Sequence, residues 1–225
     1  MTTDLLFTIR ELRVDNIINV NHLDIKIDKV TCITGESGAG KSTLMKTLNK
    51  MITPDSGEIF YKGTPLKEID SVQHRRKVIM LSQIPLIFPG TIKDNLIMGY
   101  KLNGMEAGDD ERLNQALHNM QMTKELHEDA GTLSGGEKQR LALARILLLE
   151  ADVYLLDEPT SALDEDTEMM VLDHFIREIK KKHASLLMIT HSNKVNEQFA
   201  EERIYLSRSA VEEVENTPKG EFDGK

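Results

Sequence analysis

Tryptophan is absent, and cysteine occurs once, at Cys32. A single thiol can form neither an intrachain disulfide nor a cysteine-based metal cluster, which fits a reducing, cytosolic setting. Aromatic residues make up only 4% of the 225-residue chain, so the core has to be built mainly from aliphatic side chains. Positive charge is in deficit: 28 Lys and Arg stand against 37 Asp and Glu, for a net charge of −9. Such a surface has no general attraction for nucleic acid or anionic lipid, so a basic-tail DNA binder is excluded and no nucleic-acid partner is expected. Long hydrophobic runs are missing too. The most apolar stretch, 141–149, contains Arg145 and falls far short of the roughly 18 residues that a membrane span needs. Residues 1–10 carry Asp4 and show neither a basic leader nor a small-residue cleavage site, so no secretory signal is expected.

What is present suffices for a folded body, with 40% apolar and 29% charged residues. At a soft prior of about 150 residues per domain, the length gives one large domain or a core with a sizeable insertion. Residues 5–14 and 23–27 alternate apolar and polar roughly by two, and 30–34 is a compact run ending at a glycine; all three are expected strands. Over 42–51, Leu44, Met45 and Leu48 share a helical face before Pro54, Ser56 and Gly57 break the chain. Ile59, Phe60 and Tyr61 with Gly63 suggest a small hairpin, and 77–81 a further strand. Helical periodicity then covers 91–100 and 111–122, with Gly104 and Gly108 between them. Residues 135–149 are an expected long helix, 153–156 a buried strand, 165–182 a helix and 186–190 another buried strand. Strands alternating with helices imply a mostly parallel sheet. The expected fold class is therefore α/β. Its core spans 1–82 and 151–207 and includes an antiparallel β part; a helical subdomain is inserted over 83–150, and 208–225 is a polar tail.

The chemistry begins at Gly35-Glu36-Ser37-Gly38-Ala39-Gly40-Lys41-Ser42, a G-x-x-x-x-G-K-[ST] phosphate loop lying between an expected strand and an expected helix. Its glycines let backbone N–H groups wrap a polyphosphate, and the following helix adds the favourable end of its dipole. Lys41 offers charge to the outer phosphates, Ser42 can ligate magnesium, and Thr43 completes the set of nucleotide-binding residues. Farther on, the apolar run 153–156 ends in Asp157 and Glu158, as suits a buried strand delivering carboxylates to a site at its C-terminal edge. Asp157 would hold magnesium and Glu158 would act as general base on the attacking water.

The string Leu133-Ser134-Gly135-Gly136-Glu137-Lys138-Gln139-Arg140 resembles the signature motif of the ATP-binding-cassette (ABC) ATPases. Other positions match that family in order. Gln83 resembles its glutamine loop, Ser161-Ala162-Leu163-Asp164 its D-loop, and His191 after Leu187-Met188-Ile189-Thr190 its switch histidine. The resemblance implies an ABC cassette of the P-loop NTPase type with ATP and Mg2+ as cofactors. It also implies an ATP-dependent homodimer stacked head to tail, each ATP lying between Lys41 of one copy and Ser134, Gly135 and Gly136 of the other. Asp164 belongs to that nucleotide-binding set. Glu158, His191 and Gln83 are the implied catalytic residues; Gln83 joins Ser42 and Asp157 toward the metal.

Members of that family usually stack adenine on an aromatic side chain ahead of the phosphate loop. Here Phe7 is the only aromatic before Lys41, and it sits in an alternating strand that reads as core. The expectation is that adenine packs on aliphatic residues among 12–18, with weak preference for ATP over GTP. Without a membrane span, a transport role implies a separate permease chain docked in the cleft near Gln83, which would hold the protein peripherally on the inner face of the cell membrane. Residues 83–96 would line that cleft, with Leu86 and Ile87 as socket or as subdomain core. The chain looks most like the small bacterial ATPases paired with iron- or metal-efflux-type permeases. Import of a small solute, or export of lipid or peptide, uses the same cassette. A soluble relative acting on DNA or ribosomes is the alternative. Residues 83–133 show no sustained heptads of the kind DNA-acting heads carry, and only one motif set is present.

Overall fold

The computed structural model describes residues 4–15, 17–207 and 211–214. Strands β1 (Leu5–Val14), β2 (Ile18–Lys26), β4 (Ser56–Tyr61) and β5 (Thr64–Pro65) form an antiparallel sheet in the order β2-β1-β4-β5. The second sheet has six strands in the order β10-β9-β3-β8-β7-β6, built from β3 (Val30–Gly35), β6 (Val78–Leu81), β7 (Val153–Asp157), β8 (Ser185–Ile189), β9 (Glu202–Leu206) and β10 (Val211–Val214). All its pairings are parallel except β10 on β9. The helices are α1 (Lys41–Leu48), α2 (Ser71–Lys77), α3 (Ile92–Asn103), α4 (Asp110–Asn119), α5 (Gly135–Leu147), α6 (Glu165–Lys181) and α7 (Asn193–Phe199).

The central strands are apolar without interruption because both of their faces are covered. Tyr154, Leu156, Leu186 and Met188 point into one core with the helices, whereas Val153, Leu155, Leu187 and Ile189 point into a second core shared with α1 and the antiparallel sheet. Each Leu or Ile so buried contributes about 1.5–3 kcal/mol. Phe7 belongs to the second core, fully buried with its ring 5.3 Å from that of Tyr61.

Helix starts are set by short polar residues. Thr91 and Asp94 form a reciprocal capping box on α3, and Ser134 and Glu137 form one on α5. Asp164 caps α6, which opens with Glu165, Asp166 and Glu168 and closes with Lys180 and Lys181, in accord with the helix dipole.

Several elements differ from expectation. Strand β2 begins at Ile18 rather than at 23. Ile18 and Val20 are buried and so are Leu23 and Ile25, so the period of two slips between the pairs, opposite Glu11 with its φ of +49°. Helices α2 and α7 and strand β9 were not expected. Both helices have only seven residues, too few to show a repeating apolar face. Within the expected polar tail, residues 211–214 pair with β9 as a strand; the rest of that segment, 208–210 and 215–225, lies outside the described residues.

Candidate nucleotide site

Strand β3 runs straight into the glycine loop, and α1 leaves it at Lys41. Glu36 N–H donates to the Leu206 carbonyl of β9 at 3.2 Å, and a Cβ on Gly35 would lie 1.9 Å from that same oxygen. Glycine is therefore required there for close approach as well as for its φ of +137°. Gly40, the α1 N-cap, is left-handed at φ +89°. Ala39 turns its side chain into the core, so only its backbone faces the loop.

Lys41 is 8% exposed, and its ammonium donates to the carbonyls of Gly35 and Glu36, both at 2.9 Å. The loop's own carbonyls hold the cation inside the curl, beside the N–H groups and the N-terminus of α1. Such a curl is suited to cradle a polyphosphate.

Strand β7 brings Asp157 to the same edge, within electrostatic reach of the Ser42 side chain. Burial pushes the Asp157 carboxyl above its ordinary 3.8, the Glu158 charge adds to this, and the Ser42 side chain with Lys46 and Lys41 pulls it back. Ser42, Asp157 and the amide oxygen of Gln83 are hard oxygen donors of the kind Mg2+ prefers. Among the described residues no group of three His, Cys, Asp or Glu side chains could hold a metal alone. The donor set thus fits a magnesium ion that also binds substrate phosphates.

Glu158 follows Asp157 in a left-handed conformation, φ +48°, and its N–H donates to the Ile189 carbonyl of β8. This turn directs its carboxylate to the open edge. There Gln83 Nε2 donates to Glu158 Oε2 at 2.7 Å, and His191 Nε2 lies 3.0 Å from Glu158 Oε1. Three residues spread over more than 100 positions meet at one carboxylate. Gln83 lies exposed two positions beyond β6.

Ser134, Gly135 and Gly136 open α5 and pack on 162–163: a Cβ on Gly136 would lie 2.9 Å from Leu163 Cδ2 and 3.1 Å from the Ala162 carbonyl. Asp164 lies just beyond that contact, at the start of α6. Both its oxygens are committed to α6, Oδ1 accepting from Thr167 N–H at 3.0 Å and Oδ2 from the Thr167 hydroxyl at 2.7 Å. Its carboxylate within this chain is a helix cap.

The adenine expectation also narrows. Leu12, Val14 and Ile18 are buried, and of the aliphatic residues between 12 and 18 only Ile17, 47% exposed, has surface to offer. It touches the loop, since a Cβ on Gly40 would lie 3.1 Å from Ile17 Cγ2. Of the two residues considered for socket or core, Leu86 is 64% exposed, whereas Ile87 packs against the helical core.

Sequence reasoning missed two residues here. Gln139 is buried between α5 and 161–162, and Arg145 sits beneath the cleft, donating to the Leu86 carbonyl at 2.7 Å. The available signal was a polar side chain on an otherwise apolar helix face.

Residues 18–161 match the family model described as ABC transporter. The chain is 39% identical over 184 residues to the phosphate import ATP-binding protein PstB of Desulfitobacterium hafniense, covering 76% of this chain and 70% of that one. An ABC transporter ATP-binding protein from Pyrococcus furiosus superposes with a TM-score of 0.76 at 27% identity, over 89% of this chain and 96% of that one. A bacterial Atm1-family ABC exporter with ATP bound shares the fold, with a TM-score of 0.83 at 22% identity; the match covers 94% of this chain and 39% of the exporter. Sequence motifs, fold and relatives converge, and the chain belongs to the ABC transporter family as an ATP-binding subunit.

Proposed function

We propose that the chain is the Mg2+-dependent ATPase of a transporter, working as a head-to-tail homodimer around two ATP molecules and driving a separate membrane permease. The observation that carries this reading is Glu158, whose two carboxylate oxygens are held by Gln83 and His191 beside the Lys41 loop. In this reading the loop N–H groups and Lys41 bind the polyphosphate, and Ser42, Asp157 and Gln83 hold the metal. Bound Mg2+ supplies charge neutralisation at the outer phosphates. Glu158 takes the proton of the attacking water once Gln83 releases Oε2, and His191 orients the carboxylate through Oε1. Ser134, Gly135 and Gly136 complete the site of the opposite copy with a second helix N-terminus. Residues 83–150 move as a unit against the core formed by 1–82 and 151–207, so nucleotide state reaches the cleft between them.

That cleft suits a permease. Met51, Ile84, Leu86 and Leu102 are exposed apolar residues that line it, and a patch of this kind on a surface with net charge −9 calls for a partner. Among the described residues no helix is long and apolar enough to cross a membrane, so the partner would bring the protein to the inner face of the membrane. The cassette contacts ATP and permease rather than cargo. The efflux-type resemblance of 83–96 points to metal or iron export, while the relative from Desulfitobacterium hafniense is described as a phosphate import protein. The permease therefore decides the cargo.

The test is affinity purification of a tagged Glu158→Gln chain from detergent-solubilised host membranes with ATP present. A stoichiometric multi-span protein is the expected companion. Recovery from the soluble fraction alone, with ribosomal or DNA-associated proteins, would overturn the transport reading and favour a soluble ATPase.

A further inference from the structure

Gln139 lies one turn into α5 and is only 4% exposed, among the buried Leu141, Ala142 and Leu143. An amide in such surroundings is costly unless both of its ends are paired. Both are. Its Nε2 donates to Ser161 Oγ at 3.0 Å, and its Oε1 accepts from Ala162 N–H at 3.0 Å. The same two elements touch a second time three residues earlier, where Gly136 admits the Ala162 carbonyl and Leu163 side chain at distances no Cβ would allow. Segment 158–163 is itself a tight turn, with Ser161 N–H donating to the Glu158 carbonyl at 3.4 Å and Leu163 N–H to that of Thr160 at 3.0 Å.

We propose that Gln139 is a positioning residue that ties the loop Ser134–Gly136 to Glu158 through Ser161 and Ala162. Contact of Ser134–Gly136 with a nucleotide is thereby converted into placement of the general base in the same chain. The inference rests on the proposed function, in which Ser134–Gly136 meet the ATP held by the opposite copy. Two hydrogen bonds from one planar amide fix both the distance and the rotation of the 161–162 backbone relative to α5. An apolar side chain would fill the space without fixing either. Glu158 follows because only Pro159 and Thr160 separate it from Ser161 and because its left-handed φ of +48° confines it to a narrow backbone well.

The experiment compares the intact chain with Gln139→Leu and Gln139→Glu for ATP turnover, equilibrium ATP affinity and thermal midpoint. Leucine removes both hydrogen bonds and strands the Ala162 N–H. Glutamate can accept from Ala162 N–H and, with the hydroxyl rotated, from Ser161 as well. Gln139→Leu should lower kcat by about tenfold or more while ATP affinity stays within about twofold, and Gln139→Glu should restore kcat to within about threefold of the unmodified chain. A merely structural role would lower the midpoint and affinity with kcat. A Leu variant that turns over at the unmodified rate, or a Glu variant as slow as the Leu one, overturns the proposal. If Gln139→Leu does not fold, Ser161→Ala removes the Nε2 partner at an exposed position; it should lower kcat by about threefold at unchanged ATP affinity, and an unchanged kcat overturns the tie. An unmodified chain that binds ATP without hydrolysing it would instead overturn the ATPase reading, and this inference with it.

Discussion

Ile17 is the side chain on which the expected base contact depends. It stands against Gly40 at the end of the phosphate loop and is the exposed aliphatic residue where an aromatic was looked for. A branched aliphatic face offers a base contact area without the ring quadrupole or a hydrogen-bonding edge, so it cannot distinguish one purine from another. Affinities for ATP and GTP should therefore agree within about tenfold, and Ile17→Ala should weaken both alike. Equilibrium binding of the two nucleotides checks this; an ATP preference near a hundredfold would contradict it. Contiguous site residues were legible because their chemistry lies in short strings: the glycine loop with Lys41 and Ser42, and the apolar run ending in Asp157 and Glu158. Gln83 and His191 were legible only from their order along the chain. That both close on Glu158 is a property of the sheet, which no local pattern encodes. The capping role of the Asp164 carboxylate was not legible, because the Thr167 contacts that define it appear only in the fold.

Several helix starts and one turn are held by carboxylates, and this makes the fold sensitive to acid. Asp70, Asp94, Glu128, Glu137 and Asp164 all titrate below their ordinary values. For Asp70, Glu128, Glu137 and Asp164 a backbone N–H is the largest cause, and for Asp94 the Thr91 hydroxyl. A carboxylate with a depressed folded value contributes stability that is complete above its unfolded value, 3.8 for Asp and 4.5 for Glu, and is lost as pH falls through the folded one. Asp157, raised by burial, acts in the opposite sense, since its native state gains stability as pH falls through the raised value. The caps outnumber it. The thermal midpoint should fall steadily from about pH 5 to about pH 3; a midpoint that is flat or rises over that interval would assign the caps no role. The long amphipathic helices and doubly covered strands could be read from the sequence because burial writes a period or an unbroken apolar run. Short elements such as α2, α7 and β9 depend on their neighbours. His74 of α2, for example, is fixed by the Leu48 carbonyl at 2.8 Å, a contact invisible before folding.

At the scale of the whole molecule, one chain presents two half-sites that face different ways in the proposed assembly. In that assembly the Lys41 loop would grip phosphate, and the capped start of α5 would offer a second set of N–H groups to a phosphate held by another copy. Since a phosphate bridging two such ends is what would join the copies, association should follow the nucleotide and be strongest when hydrolysis is blocked. Replacing Glu158 by Gln removes the proton acceptor and leaves Lys41, Ser42 and Ser134 in place. The decisive measurement is the solution mass of the Glu158→Gln chain by light scattering, with Mg2+ and with ATP, ADP or no nucleotide. The expected result is a mass that doubles from 25.4 kDa with ATP and returns when ATP is removed or replaced by ADP. A mass that stays at 25.4 kDa in saturating ATP, with ATP bound, would contradict the shared-site reading.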